Sequence, residues 1–462
     1  MASFGGDLLA AALAGTAPGE HPLRFVAELP PRSGRPCSWP QWADPEVVRA
    51  FADRGISAPW SHQCDAAELA HAGRHVVVST GTASGKSLAY QLPVLNALVT
   101  DPRARVLYLS PTKALGHDQL RAAHALTSAI PRLNGSFAVA PTAYDGDSPA
   151  EVRRFARERS RWLFSNPDMI HLSILRNHAR WAVLLRGLRF VIVDECHYYR
   201  GVFGSNVAMV LRRLLRLCAR YSPEPGMVPT VIFASATTDS PGATAAELIG
   251  QPVQEVVEDG SPQGARTIGL WEPALRADLT GENGAPVRRS AGAEAARVMA
   301  DLIAEGAQTL TFVRSRRAAE LTALGAQARL DDIAPELSGK VASYRAGYLA
   351  EDRNALERAL AEGRLRGLAT TNALELGVDI AGLDAVVLAG FPGTVASFWQ
   401  QAGRSGRRGQ GALVVLIARD DPLDTYLVHN PSALLDKPVE RVVIDPANPY
   451  LLGPQLLCAA TE

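Results

Sequence analysis

This 462-residue chain has little cysteine, little lysine, no net charge and no long apolar run, and each shortage removes a class of function. Its five cysteines, Cys37, Cys64, Cys196, Cys218 and Cys458, are scattered without a C-x-x-C pair. That spacing argues against a disulfide framework and against a zinc site within this chain, and it fits a reducing cytoplasm. The run from Leu8 to Leu13 is too short for a membrane span and follows no basic segment, so neither a membrane partner nor a targeting segment is expected. The 47 basic and 47 acidic residues cancel, so a nucleic-acid partner would have to be held by local positive grooves. There are only four lysines, Lys86, Lys113, Lys340 and Lys437. The arginines that make up the rest suit bidentate phosphate contacts and equally fit coding bias. With 47% hydrophobic and 20% charged residues, the chain can bury two or more cores, and at least two domains are expected.

The most informative stretch is Thr80-Gly81-Thr82-Ala83-Ser84-Gly85-Lys86-Ser87. It follows the β-branched run Val76-Val77-Val78-Ser79 and precedes the helix-like Leu88-Ala89-Tyr90-Gln91-Leu92. At such a strand-to-helix turn, glycines let backbone N–H groups curl inward and the helix N-terminus adds partial positive charge. Lys86 can then reach the β- and γ-phosphates of ATP, and Ser87 can ligate Mg²⁺. A strict G-x-x-x-x-G-K-[ST] loop would have glycine where Thr80 stands. Read without a ligand, the same stretch is a Gly/Ser-rich turn with a solvated lysine. Gln63, some 17 residues upstream, is a candidate adenine reader through its amide, and taken alone a surface glutamine.

From residue 75 to about 255, short apolar runs alternate with longer helical stretches, the pattern of a parallel sheet covered by helices. Chemistry-bearing residues follow the runs directly, as expected for the carboxyl ends of strands. The run Phe190-Val191-Ile192-Val193 ends in Asp194-Glu195-Cys196-His197. One carboxylate, Asp194, would hold Mg²⁺, and Glu195 would orient or deprotonate the attacking water. His197, with Ser235 and Thr237 of Ser235-Ala236-Thr237, would sense the γ-phosphate, while Cys196 fills space. In order, Gln63, Thr80 to Ser87, Pro111-Thr112-Lys113-Ala114-Leu115, Asp194 to His197 and Ser235 to Thr237 resemble the first half of superfamily 2 helicases of the DEAD/DEAH-box type. Thr80 and Ala83 in the loop and Cys196 in the box depart from that pattern.

A second alternating region runs from 291 to about 430 and has no phosphate loop of its own. The expected fold class is therefore α/β, with two tandem RecA-like parallel-sheet domains and an ATP cleft between them. The second region carries Gln400-Gln401-Ala402-Gly403-Arg404-Ser405-Gly406-Arg407-Arg408-Gly409, by itself a solvated basic loop or an anion patch. Beside a neighbouring phosphate loop, Arg404 and Arg407 could serve as arginine fingers. The cluster, Gln400 included, resembles the superfamily 2 pattern Q-x-x-G-R-x-G-R. The stretch from Ala369 to Asp379 resembles the preceding motif, which implies that Gly377 and Asp379 lie near the nucleotide. Strand-end residues Thr112, Lys113, Asn166, Arg314 and Thr370 are candidates for sequence-independent contact with nucleic-acid phosphates.

Finer likeness lies in Tyr144-Asp145-Gly146-Asp147, in Tyr198 to Ser205, in the Tyr344 to Tyr348 stretch, in Trp39-Pro40 and in Pro59 to Gln63. These resemble MrfA/YprA-type DNA helicases, including the mycobacterial SftH type. The resemblance implies a DNA-stimulated ATPase that moves 3′ to 5′ on single strands or on tailed duplex DNA and works in DNA repair. Such proteins continue into a C-terminal region with a four-cysteine zinc site, so this chain resembles a core fragment or a shortened member. The expected layout is an N-terminal extension (1–53) packed on the first domain, an ATP-binding domain (54–255), a linker (256–290), a second domain (291–430) and the start of a C-terminal region (431–462). Two other readings remain: an RNA-dependent ATPase of the same superfamily, and an ATP-dependent clamp that does not separate strands.

Overall fold

The computed structural model describes residues 4–134, 138–224, 226–280, 286–345, 347–375, 382–406 and 411–462. They form two compact units, one of residues 1–34 with 262–439 and one of residues 35–261 with 440–462. The N-terminal arm is thus divided and does not pack as one extension on the first domain. Its strand β1 (Leu23–Leu29) pairs antiparallel with the strand Arg266–Trp271 of the second unit's sheet. The helix Phe4–Ala14 buries Leu8, Leu9 and Ala12 in a cluster with Trp271, Val298 and Val415. β1 has apolar residues at every second position, Leu23, Phe25, Ala27 and Leu29, yet it is exposed or half-buried along its whole length. Backbone pairing holds it, aided by an Arg24–Glu272 ion pair of 2.7 Å and a 2.9 Å hydrogen bond from Thr267 Oγ1 to Glu28 Oε1.

In the loop-bearing unit, seven strands form one sheet: β2 (Val76–Ser79), β3 (Arg105–Leu109), β4 (Thr142–Ala143), β5 (Trp162–Ser165), β6 (Leu188–Val193), β7 (Thr230–Ser235) and β8 (Gln254–Val256). Their spatial order is β4-β5-β3-β6-β7-β2-β8, and every pairing is parallel. Helices cover both faces, so β2 is buried at all four positions and needs Val-Val-Val where a half-exposed strand would alternate. The order places β6, β7 and β2 side by side, so the segments leaving their carboxyl ends share one rim.

The other unit has a second seven-stranded sheet. Its members besides β1 are β9 (Arg266–Trp271), β12 (Thr309–Phe312), β13 (Val341–Tyr344), β14 (Gly367–Thr370), β15 (Ala385–Ala389) and β16 (Ala412–Ile417); β10 (Leu275–Thr280) and β11 (Pro286–Arg288) make a separate hairpin. The order is β1-β9-β16-β15-β12-β14-β13, parallel except at β1. β9 lies inside the segment expected to be a linker and is fully buried. At the other end, residues 440–462, expected to begin a further region, return to the loop-bearing unit. There the helix Pro449–Thr461 meets the helix Gly201–Tyr221, with Gln455 Nε2 donating to Asn206 Oδ1 at 2.8 Å.

Because Leu9 is 5% exposed against a strand-and-helix core, Leu9→Ala should cost about 2–5 kcal/mol of the second unit's stability, read from urea unfolding. A loss below about 0.5 kcal/mol, the range of surface substitutions, would show that the arm does not contribute to that core.

Candidate active site

The loop between β2 and the helix Ser87–Thr100 is wound by its own side chains. Ser84 Oγ donates to the Gly81 carbonyl at 2.9 Å, so its contact with Thr80 Oγ1 at 2.7 Å is donated by Thr80. Both residues are almost fully buried. Thr80 therefore closes the loop through its hydroxyl where a glycine would only permit the turn. Ala83 (φ 61°) and Gly85 (φ 77°) take left-handed backbone, which turns the chain back toward the helix start. Lys86 Nζ donates to the carbonyls of Thr80 at 3.0 Å and Gly81 at 2.8 Å, so the ammonium lies inside the curl. The helix has no side-chain cap at its N-terminus, which leaves its first N–H groups to face an anion.

Gln63, the candidate adenine reader, is buried; its Oε1 accepts from Trp60 N at 2.8 Å, and its Nε2 donates to the Gly85 carbonyl at 2.8 Å. Its amide thus ties the start of its own helix to the phosphate loop.

Asp194 and Glu195 leave β6 next to this loop. Tyr108 on β3 donates its hydroxyl to Asp194 Oδ2, and Glu195 N donates to Asp194 Oδ1 at 2.9 Å. Burial and the neighbouring Glu195 charge push the Asp194 carboxyl up to about 7, against the opposing pull of these hydrogen bonds and of Lys86. A cation beside it would relieve that cost. The hydroxyl of Ser87 at the helix start and the Asp194 carboxylate are hard oxygen donors, so the residues fit a hydrated Mg²⁺ carried by a polyphosphate. Glu195 is held in left-handed backbone (φ 48°), an uncommon conformation for this residue type and one that recurs at functional sites.

Glu195 Oε2 lies 3.4 Å from His197 Nδ1, but the two do not form an ion pair. Burial, with Lys86 and Arg200 nearby, pushes the imidazole down to about 3. Moreover, Nδ1 accepts from Ala236 N at 3.3 Å, so the neutral ring carries its proton on Nε2. Ser235 Oγ also lies 3.3 Å from Nδ1. Ser79 Oγ donates to the Ala236 carbonyl at 2.8 Å, so this segment is bonded to the phosphate-loop strand as well as to His197. Thr237 is exposed at its end. The Cys196 thiol is buried and pushed up to about 12, in keeping with a packing role.

Other predicted residues are described by the contacts they make within their own unit. Thr112 caps the helix Lys113–Ala129, its Oγ1 accepting from Leu115 N at 3.3 Å, and Asn166 Oδ1 accepts from Met169 N at 2.9 Å. Lys113 is paired with Asp147 of the Tyr144-Asp145-Gly146-Asp147 turn. In the second unit, Glu375 is a hub that sequence reasoning missed. Its carboxylate accepts from Ser397 Oγ at 2.7 Å and Gln401 Nε2 at 2.8 Å, and its carbonyl accepts from Arg404. Gln400 is buried in the same helix, Val395–Ala402. Arg314 Nη2 donates to the Phe391 carbonyl at 3.3 Å. Thr370 is 0% exposed, with its hydroxyl donating to the Thr371 carbonyl at 3.1 Å. Gly377, Asp379 and Arg407 lie outside the described residues.

The "DEAD/DEAH box helicase" family matches residues 60–244, and the "Helicase conserved C-terminal domain" matches residues 294–409. This chain belongs to the DEAD/DEAH-box helicases of superfamily 2 and is related to MrfA/YprA-like proteins. It is 41% identical over 426 residues to the ATP-dependent helicase HRQ1 of Saccharomyces cerevisiae, covering 90% of this chain and 38% of that protein. With the uncharacterized ATP-dependent helicase YprA of Bacillus subtilis it shares 37% identity over 436 residues, covering 94% of this chain and 56% of the relative. The chain thus spans about half or less of the length of these curated relatives. Among solved structures, the DUF1998 helicase MrfA bound to DNA and AMPPNP superposes with a TM-score of 0.89 at 35% identity, over 98% of this chain and 60% of the other.

Two outcomes follow for this helicase-family site. A Cβ on Gly85 would stand 2.6 Å from Gln63 Nε2 in left-handed backbone, so Gly85→Ala should weaken binding of a fluorescent ATP analogue by about 5- to 150-fold, from roughly 1–3 kcal/mol of strain. An unchanged Kd would contradict the cradle geometry. Protons and Mg²⁺ should compete for Asp194, so half-saturating Mg²⁺ for analogue binding should rise as pH falls below about 7. Asp194→Asn should flatten that dependence; an equally steep profile in the variant would assign it elsewhere.

Proposed function

We propose that this chain is the ATP-driven motor of a DNA helicase that translocates 3′ to 5′ on single-stranded DNA, in the service of DNA repair in the cytoplasm. The observation that carries the reading is the placement, on one rim of a single sheet with only β7 between their strands, of a wound phosphate loop bearing Lys86 and the Asp194-Glu195 pair. Among solved relatives, MrfA is described bound to DNA and AMPPNP, and the helicase Lhr of Mycobacterium smegmatis, 26% identical with a TM-score of 0.69, bound to ssDNA and AMP-PNP. Among the described residues no helix is long and apolar enough to cross a membrane.

The residues divide the work as follows. Lys86 exchanges the carbonyls of Thr80 and Gly81 for the β- and γ-phosphates of ATP, while N–H groups of Gly81, Thr82, Ala83, Ser84 and Gly85 line the cradle. Mg²⁺, when bound by Ser87 and Asp194, would neutralise phosphate charge. Glu195, fixed by its backbone twist, orients and deprotonates the attacking water. Neutral His197, bonded to Ala236, transmits loss of the γ-phosphate to the Ser235–Thr237 segment. Arg404 and Arg407, with Gln400, are assigned to stabilising transition-state charge, and Gly377 and Asp379 to nucleotide binding, on the family pattern they match. Thr112, Lys113, Asn166 and Arg314 hold backbone phosphates without reading sequence.

Glu195→Gln should keep ATP binding and lower kcat by about 10²- to 10⁴-fold, the span of general-base catalysis, whereas Lys86→Ala should lose binding and turnover together. Hydrolysis at the parent rate by Glu195→Gln would remove it from the water-activating role. In the parent protein, single-stranded DNA should raise ATP turnover, and the DNA concentration for half-stimulation should climb with salt. Stimulation by RNA alone would select the RNA-dependent reading, and equal rates with DNA, RNA and no polymer would overturn the motor.

A further inference from the structure

Tyr108 sits in the centre of an apolar strand, fully buried, with its ring 6.0 Å from Tyr90 and 4.9 Å from Phe164. A phenylalanine would fill that space equally well. The hydroxyl needs a partner when buried, and its partner is Asp194 Oδ2. The register explains how it gets there. Tyr108 pairs with Ile192 across the parallel β3–β6 ladder, and Asp194 is two residues farther on, on the same face of its strand. Asp194 N donates to the Leu109 carbonyl at 2.9 Å, so the ladder continues through the carboxylate-bearing residue and fixes its backbone.

We infer that Tyr108 is a positioning residue for the metal-holding carboxylate, setting the rotation of Asp194 before any cation arrives. With Tyr108 on Oδ2 and Glu195 N on Oδ1, each carboxylate oxygen accepts one bond from the protein and keeps one in-plane lone pair for a metal or a metal-bound water. Tyr90 extends the arrangement: it lies close to Ser87 and Tyr108, and its hydroxyl donates to Gln119 Oε1 at 2.8 Å on the helix Lys113–Ala129. Loss of such an outer hydrogen bond typically costs about 10- to 100-fold in metal affinity. The inference rests on the reading of Asp194 as the Mg²⁺ carboxylate.

The test is Tyr108→Phe, read by Mg²⁺ titration of fluorescent ATP-analogue binding without turnover. Half-saturating Mg²⁺ should rise about 10-fold or more, while analogue binding without metal stays within about twofold of the parent. ATP turnover should recover toward the parent rate when Mg²⁺ is raised. An unchanged Mg²⁺ requirement, or an equal loss of binding with and without metal, would overturn the inference while leaving the motor reading intact. Failure of the parent protein to bind the analogue at all would overturn both. Should Tyr108→Phe not fold, 3-fluorotyrosine placed at position 108 provides a second readout by fluorine NMR. Its resonance should move when Mg²⁺ is added with a non-hydrolysable ATP analogue and stay in place with the analogue alone; a resonance indifferent to metal would overturn the inference.

Discussion

A carboxylate buried next to a second carboxylate is costly, and this chain keeps one at the end of β6. Burial and the Glu195 charge both resist ionisation of Asp194, and the bonds from Tyr108 and Glu195 N only partly offset them. On the same rim, beyond β7 at the end of β2, a lysine ammonium folds onto the carbonyls of its own loop. In the proposed function, a metal-bound polyphosphate would meet both groups, its oxygens taking the place of the carbonyls around Lys86 and its cation offsetting the charge at Asp194.

The fold makes this possible through strand order. Parallel strands bring every segment that leaves a carboxyl end to the same rim, and the β6-β7-β2 order lines up the acid pair, the Ser235–Thr237 segment and the phosphate loop. The side-chain bonds then lock the segments together: Ser79 to Ala236, Ala236 to His197, and Gln63 to Gly85. In the second unit, Glu375 organises Ser397, Gln401 and Arg404 in the same manner, joining the stretch after β14 to the one after β15.

Much of this was legible in the sequence because the signals were local. The run Val76–Ser79 and the Thr80–Ser87 loop announce a buried strand turning into a helix, and Phe190–Val193 ending in Asp194-Glu195 announces the second half of the site. What escaped was non-local. β1 is held by backbone pairing to a strand more than 230 residues away and by the Arg24–Glu272 ion pair, and neither partner can be read from its own short stretch. Thr80 looked like a missing glycine until its hydroxyl was seen to close the loop. Residue type alone did not show that Gln63 and Thr370 are buried, or that the Gln63 amide bonds to the loop. Tyr108 did leave a signal, since a tyrosine in a fully buried strand must bring its hydroxyl to a partner, but only the β3–β6 register says which.

The central claim is that the chemistry at Asp194 and Glu195 drives directed movement along a strand. It is tested most directly by displacement of streptavidin from single-stranded DNA biotinylated at one end or the other, with the protein in excess and ATP present. Movement from 3′ to 5′ should speed release from the 5′ end well above the spontaneous rate, leave the 3′ end near that rate, and vanish with Glu195→Gln. Release at the spontaneous rate from both ends, alongside DNA-stimulated ATP hydrolysis, would contradict a translocating motor.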